Sequence, residues 1–180
     1  MTAAQHLFLE QGVAGTTIDQ ITKQADVAKG TFYLYFSSKE DVLAGLADRF
    51  AQDLLARIQT AVAAVASTDW RGKLTAWATA CVSGYLDAIR FHDILFYGSR
   101  PATREGMVDN IVIDDLTALL EGGRDAAAWD IADPRFLAVF LFSGLHAVVD
   151  DAYSKEKRIH RRRLLQTAER VCLSMVGCSS

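Results

Sequence analysis

Residues 16–43, TTIDQITKQADVAKGTFYLYFSSKEDVL, carry the strongest pattern in this chain. Ile18 and Ile21 recur on one helical face, and the threonine before them is a typical N-cap, because its hydroxyl accepts a hydrogen bond from an unpaired backbone N–H. A short break follows, after which a second helix is predicted from Ala28 to about Tyr35. The stretch therefore predicts two short helices joined by a tight turn.

The second of these helices has two different sides. Phe32 and Phe36 have the spacing of residues that fill a small core, and Gly30 would let another molecule approach the backbone closely. The hydrogen-bond donors of the helix are Lys29, Thr31, Tyr33 and Tyr35. Such a surface fits DNA phosphates and base edges, which indicates a helix-turn-helix. The alternative is a short amphipathic helix that only fills a core.

The segment resembles the DNA-binding domain of TetR-type (tetracycline-repressor-like) regulators. Two positions depart from the family pattern, since Thr22 stands where the family usually has alanine and Asp26 where it usually has glycine. Aspartate tolerates the left-handed conformation that glycine would supply, but it adds a negative charge near DNA. The residues that carry the match are Leu7, Phe8, Gly12, Val13, Thr16, Thr17, Ile18, Ile21, Ala25, Val27, Gly30, Phe32, Tyr33, Tyr35, Phe36 and Lys39 to Leu43.

The resemblance implies a set of DNA-contacting residues. Lys29 and Thr31 would face bases, with Gly30 at the point of closest approach. Phosphates would be held by Thr17, Tyr33, Tyr35 and Lys39. The basic arm that often precedes the first helix in the family is not among the residues before Gly12, so either the protein starts upstream of Met1 or the arm is missing. With three lysines and five acidic residues, positions 1–45 carry a net charge of −2.

The rest of the chain shows only helical periods, so we predict an all-α protein. The expected domains are a helix-turn-helix DNA-binding domain at 1–45 and a ligand-binding and dimerisation domain at 46–180. Long helices are expected from Lys39 to about Ala66 and from about Trp70 to Ile89. Further helices are expected at 92–97, 107–122, 134–153, where Asp133-Pro134 is a typical helix start, and from about 157.

The family resemblance also implies a homodimer, in which the last two long helices pair with their copies. The residues predicted at that interface are Phe136, Phe140, Gly144, Leu145, Val148, Leu164, Leu165, Ala168, Val171 and Cys172.

Aromatic and aliphatic residues between Leu54 and Phe140 would suit a cavity for an apolar or aromatic effector, as the family resemblance implies. The alternative for each of them is ordinary core packing, which is the usual role of aromatic residues at helical spacing. The residues predicted to bind ligand are Trp77, Cys81, Tyr85, Phe96, Tyr97, Met107, Ile111 and Phe140.

Two other groups of residues favour no separate site. His146 and Asp150 are four residues apart on one helix, a spacing that allows metal binding, but a third ligand is not evident, so a hydrogen-bonded pair is expected. The basic run from Lys155 to Arg163, with a net charge of +5, is interpreted as a solvated surface that keeps the dimer soluble. No metal and no cofactor are predicted.

Composition narrows the class of protein. A net charge of −3 argues against a protein that coats nucleic acid by bulk attraction. Three cysteines without paired spacing suit a reducing cytoplasm. No signal peptide is visible and the uninterrupted apolar runs are too short to span a bilayer, so we expect a cytoplasmic protein with no membrane contact.

These observations together predict a ligand-responsive DNA-binding transcriptional regulator, a homodimer that represses by binding a palindromic double-stranded operator and is released by a small molecule. One alternative is a protein of the same fold, for ligand binding or dimerisation, with weak or lost DNA binding. The other is an all-α enzyme or carrier that uses His146, Asp150 and Asp151. No pairing of nucleophile and base supports an enzyme, so we predict that the chain is not one.

Overall fold

The computed structural model describes residues 1–96, 110–155 and 160–177. All regular secondary structure in these residues is helical, which confirms the all-α prediction. The helices of the described residues are α1 (Thr2–Gly15), α2 (Ile18–Gln24), α3 (Lys29–Tyr35), α4 (Lys39–Ala63), α5 (Trp70–Asp87), α6 (Ile89–Phe96), α7 (Ile111–Asp125), α8 (Pro134–Lys155) and α9 (Arg161–Met175).

The first compact unit contains Met1–Ala51 and Ala88–Val108, of which the second stretch is described up to residue 96. Phe8, Phe32 and Leu46 are central to its core, and Leu95 of α6 joins the same apolar cluster. This unit therefore differs from the predicted domain of residues 1–45, because α6 and more of α4 pack with the N-terminal helices. Sequence periodicity predicts that α6 is a helix but not which core it joins.

Local side-chain chemistry explains how α2 and α3 begin and end. The Thr17 hydroxyl accepts a hydrogen bond from the Gln20 N–H, while the Gln20 side chain accepts one from the Thr17 N–H, which is a capping box. Asp26 has a φ of +53° in the turn before α3. This positive φ belongs to the left-handed conformation that aspartate tolerates, and Gly12, with a φ of +74°, supplies the turn within α1.

The second unit contains Gln52–Asp87 and Asp109–Ser180. In it α5 packs against α7, α8 and α9, and α7 packs against α8. Trp77 and Tyr85 are the largest fully buried side chains of α5. At the end of α5, the Asp87 carboxylate pairs with Arg57 of α4 at 2.9 Å and with Arg161 of α9 at 2.5 Å. These two ion pairs hold the pKa of Asp87 below its usual range.

The start of α8 is the one that the sequence predicts, since an Asp133 carboxylate oxygen accepts the Phe136 N–H at 2.9 Å. Of the described helices, α8 alone is long and apolar enough to cross a membrane, a test of length and composition that the core helices of soluble proteins also pass. Leu137, Leu141 and Val149 lie on its buried face.

Candidate functional site

The outward surface of α3 is unusually exposed for a helix with so many large side chains. Tyr33 is 52% exposed and Tyr35 is 76% exposed, whereas Phe32 is buried in the core of the unit. The Lys29 ammonium lies 2.7 Å from an Asp19 carboxylate oxygen of α2, and this hydrogen-bonded pairing raises the pKa of Lys29. The helix therefore presents aromatic hydroxyls and a charged lysine to solvent.

Gly30 has no structural reason to be a glycine. It lies in the first turn of α3, and a Cβ added to it would meet no atom within 4 Å. Glycine disfavours a helix relative to alanine, so the fold would be better served by a larger residue. The bare backbone at Gly30 therefore leaves room for another molecule to come close.

Thr17 and Lys39, both predicted to hold phosphates, already have partners within the unit. The Thr17 hydroxyl belongs to the capping box of α2. The Lys39 ammonium donates hydrogen bonds to the backbone carbonyls of Val13, at 2.8 Å, and Thr16, at 2.6 Å. Lys39 thus binds the carbonyl end of α1, where the helix dipole favours a cation.

Thr31 is the least exposed of the predicted base-contacting residues. It is half-buried, and with Tyr35 it lines an apolar cavity of about 190 Å³ inside the unit. Lys29, Gly30, Tyr33 and Tyr35 thus lie on the exposed surface, while Thr31 lies at its edge.

In the second unit, α8 carries an exposed apolar face. Phe136 is 69% exposed and Phe140 is 54% exposed, and their rings lie parallel with centroids 6.5 Å apart. Gly144, one turn after Phe140, has open space where a Cβ would be. Val148 and Val171 are also exposed, and Leu164 and Leu165 are half-buried. Between α8 and α9 lies an apolar groove of about 130 Å³.

Three residues of the predicted dimer set lie inside the second unit. Leu145, Ala168 and Cys172 are buried, because the sides of α8 and α9 that carry them face the core of the unit. Leu145 and Ala168 nevertheless line the apolar groove between α8 and α9, and the dimer contacts of all three residues stay a prediction. Helical spacing alone cannot separate two adjacent apolar stripes on one helix.

A cavity of about 600 Å³ lies among α4, α5 and α7 of the second unit. Its apolar walls include Val62, Val65 and Leu119. Asp115 is one of its polar lining groups, and this carboxylate accepts hydrogen bonds from the Gln59 amide at 2.9 Å and from the Trp77 indole at 3.0 Å. The space suits an apolar molecule with a hydrogen-bonding group.

Comparisons of sequence concern the N-terminal residues, whereas comparison with solved structures concerns the fold of the whole chain. Residues 1–46 match the model of the bacterial regulatory proteins of the tetR family. The HTH-type transcriptional regulator EthR of Mycobacterium tuberculosis is 35% identical over 75 residues, which are 39% of this chain and 35% of that protein. Residues 1–46 therefore form a domain of the tetR type.

Two further similarities concern regulators from Bacillus subtilis. The fatty acid metabolism regulator protein is 48% identical over 44 residues, 24% of this chain and 23% of that protein. The matches to EthR and to this protein thus span about a third or less of the relatives' length. The solved structure of the transcriptional regulator FadR in complex with stearoyl-CoA has a TM-score of 0.74, at 22% identity, over 99% of this chain and 97% of that chain. These relatives are regulators, not enzymes.

The described members of the set predicted to bind ligand do not line one common cavity. Trp77 lines the α4–α5–α7 cavity, whereas Phe140 lines the groove between α8 and α9. Phe96 packs with Phe50 in the first unit. Tyr97 and Met107 lie outside the described residues.

The three remaining members of that set are differently placed. Ile111 is half-buried at the start of α7, and Cys81 and Tyr85 are buried in α5. Sequence reasoning missed Gln59, Lys73 and Asp115 of the cavity, because no sequence signal separates them from other polar surface residues.

His146 and Asp150 have partners other than a metal ion. The Tyr85 hydroxyl donates to Asp150, and the Tyr85 ring stacks on the His146 ring with centroids 4.6 Å apart. His146 Nδ1 lies 3.0 Å from the Phe142 carbonyl oxygen, so Nδ1 carries the proton. Burial lowers the pKa of His146.

Burial also shifts the pKa values of two cysteine thiols. Burial raises the pKa of Cys81 and of Cys172 to about 12, which keeps both as thiols at neutral pH. In the described residues, no cluster of three or more histidine, cysteine or acidic side chains could hold a metal ion.

Proposed function

We propose that this protein is a ligand-responsive transcriptional regulator that binds a palindromic double-stranded DNA operator as a homodimer. It acts in the cytoplasm as a repressor and leaves the operator when a small apolar or aromatic molecule binds. The observation that carries the proposal is the outward surface of α3, where Gly30 leaves the backbone bare between exposed donors. Such a surface does not contribute to the core of the unit, and it fits the major groove of DNA.

The charge of the N-terminal unit limits how DNA can be held. Because residues 1–45 have a net charge of −2, general attraction to phosphates cannot supply the affinity. Binding would then rest on a few contacts in each half-site, doubled by a two-fold symmetric dimer. Two recognition helices reach successive major grooves when they lie about 34–36 Å apart.

The dimer would be formed through the exposed apolar face of α8 and the neighbouring part of α9. In a single chain, solvent reaches more than a third of the surface of each of three apolar side chains on this face, those of Phe136, Phe140 and Val148. Burying them against a second copy removes apolar surface from water, at about 25 cal/mol per Å². The open space at Gly144 would allow the two copies of α8 to approach closely.

The effector would bind in the cavity among α4, α5 and α7, with apolar groups against Val62, Val65 and Leu119. FadR, which has the same fold, binds stearoyl-CoA in its solved structure, so the first ligand to test is one with an acyl chain. α4 borders the cavity and begins directly after the helix-turn-helix. A ligand that moves α4 would lower operator affinity by favouring a second state of the dimer.

The test begins with selection of bound duplexes from a random DNA library by the full-length protein. Affinity for the selected duplex is then measured by fluorescence anisotropy at several salt concentrations. Lys29→Ala should weaken binding about tenfold and change the preferred sequence, as expected for a base contact. Lys23→Ala, which removes another exposed lysine of this unit, is the matched control and should change affinity less than threefold.

Asp19 offers a second, opposite variant. The Asp19 carboxylate holds the Lys29 ammonium, so Asp19→Asn should free that ammonium and strengthen DNA binding severalfold. If the wild-type protein selects no duplex even at low salt, the proposal is wrong. The protein would then be a ligand-binding or dimerisation protein of the same fold.

A further inference from the structure

Leu34 is the most exposed large hydrophobic side chain that the structure describes, with 80% of its surface accessible. An α-helix turns by about 100° per residue, so Gly30 and Leu34, two positions before and after Phe32, both point nearly opposite to it. Phe32 faces the core of the unit. Leu34 and Gly30 therefore form the centre of the outward surface of α3, with Lys29 and Tyr33 beside them.

The folded unit does not explain a leucine at this position. Leucine favours helices, but so do arginine, lysine and glutamine, which expose no apolar side chain of this size. The two groups at the centre of the surface are thus an apolar side chain and a bare stretch of backbone. The donors lie to the sides of them.

We propose that Leu34 contacts the C5-methyl group of thymine and thereby determines part of the operator sequence. This inference rests on the proposed DNA-binding function. The thymine methyl is the apolar group that base pairs present in the major groove, and it distinguishes A·T pairs from G·C pairs. Because Gly30 is one turn before Leu34 and has no side chain, α3 can enter the groove deeply enough for Leu34 to reach a base.

The experiment removes the methyl group and nothing else. In the duplex selected by the full-length protein, each symmetry-related pair of thymines is replaced by uracil, and affinity is measured by fluorescence anisotropy at constant salt. Burial of one carbon is worth about 0.8 kcal/mol, or about fourfold in affinity. We expect one pair of replacements to weaken wild-type binding about fifteenfold across both half-sites.

The same duplexes are then measured with two variants. Leu34→Ala should bind the thymine and uracil duplexes equally well, since its side chain is too short to reach the methyl group. Leu34→Met, which keeps an apolar side chain of similar size, should retain most of the discrimination. Because Leu34 is exposed, both variants should unfold at the wild-type temperature, which circular dichroism checks.

Four outcomes would overturn the inference. If every uracil replacement changes wild-type affinity less than twofold, or if Leu34→Ala discriminates as the wild type does, then Leu34 does not read thymine although DNA binding stands. If Leu34→Ala instead changes the oligomeric mass, Leu34 serves a protein contact. If no duplex is selected, the proposed function and this inference fail together.

Discussion

Two outward surfaces of this molecule each contain an open helical glycine, but the side chains around the two glycines differ in chemistry. The surface of α3 and the apolar face of α8 each contain a helical glycine, Gly30 or Gly144, with open space in place of a side chain. Around Gly30 lie Lys29 and tyrosine hydroxyls, whereas around Gly144 lie phenylalanine and valine side chains. In each case the glycine indicates that another molecule approaches the helix closely. The neighbouring side chains indicate a polar, anionic partner at α3 and a second apolar surface at α8.

The contrast is tested most strongly by placing a charge on the apolar face. Phe140→Glu should prevent self-association, because dimerisation would bury an unpaired carboxylate. The mass measured by light scattering should fall to that of one chain, and operator affinity should fall at least about 100-fold, since the two half-sites are no longer bound together.

Gln166→Glu is the control for the added charge, because Gln166 is exposed on α9 and does not line the apolar groove between α8 and α9. It should leave both the mass and the affinity unchanged. A dimeric Phe140→Glu protein would show that the second copy does not cover α8.

At the polar surface, a second experiment separates a lysine that stabilises the fold, Lys39, from one that we expect to bind DNA, Lys29. Lys39→Ala removes two hydrogen bonds from a charged donor, so we expect the free energy of unfolding to fall by about 1.5–3 kcal/mol. Chemical denaturation measures it.

Lys23→Ala and Lys29→Ala should each change the same free energy by less than about 0.5 kcal/mol, because exposed charges contribute little. If Lys39→Ala leaves stability unchanged but weakens binding to all duplexes equally, Lys39 is a phosphate contact, as the family resemblance implies.

The two open glycines allow the most direct comparison. Gly30→Ala and Gly144→Ala should each raise the free energy of unfolding by up to about 1 kcal/mol, because alanine favours helices. Gly30→Ala should weaken operator binding about tenfold without changing dimerisation, if one buried contact is lost. Gly144→Ala should instead weaken dimerisation, measured by analytical ultracentrifugation.

Gly123 is the contrasting case within the second unit, because a Cβ there would lie 2.0 Å from the Trp129 ring. Gly123→Ala should lower the free energy of unfolding by about 1–3 kcal/mol. If Gly30→Ala lowers it in the same way, Gly30 is needed by the fold and not by DNA.

The smallest expected effect concerns Asp26, at the turn before α3. Asp26→Gly should raise the free energy of unfolding by about 1 kcal/mol, because a left-handed residue with a side chain is strained. Asp26→Asn keeps a side chain that tolerates this conformation but removes the charge. If both variants strengthen DNA binding severalfold at low salt, the charge near DNA is responsible. Strengthening by glycine alone would assign the effect to the backbone.

Local signals in the sequence predicted the helix-turn-helix well. The Thr17 cap, the left-handed Asp26 and the Asp133 cap all depend on partners within a few residues, so their chemistry is visible in the sequence. The hydrogen bonds of Lys39 were not predictable, because their acceptors at Val13 and Thr16 are more than twenty residues away.

The cavity was the least predictable site. Aromatic residues at helical spacing look alike whether they fill a core or line a space. Tyr85 and Cys81 are buried in α5, and their part in ligand binding stays a prediction. The role of Asp115 in the cavity is visible only in the tertiary structure, because its hydrogen-bond donors, Gln59 and Trp77, come from two other helices.

The sequence by itself determined the described helices, their caps and the tetR-type match of residues 1–46, because each depends on spacing and on chemistry within one or two turns. Only the tertiary structure decided which apolar side chains remain exposed. It buried Leu145 and Cys172 but left Phe136, Phe140 and Leu34 in solvent. The physical reason is that helical periodicity marks which residues share a face, whereas the packing of one helix on another decides which face meets water.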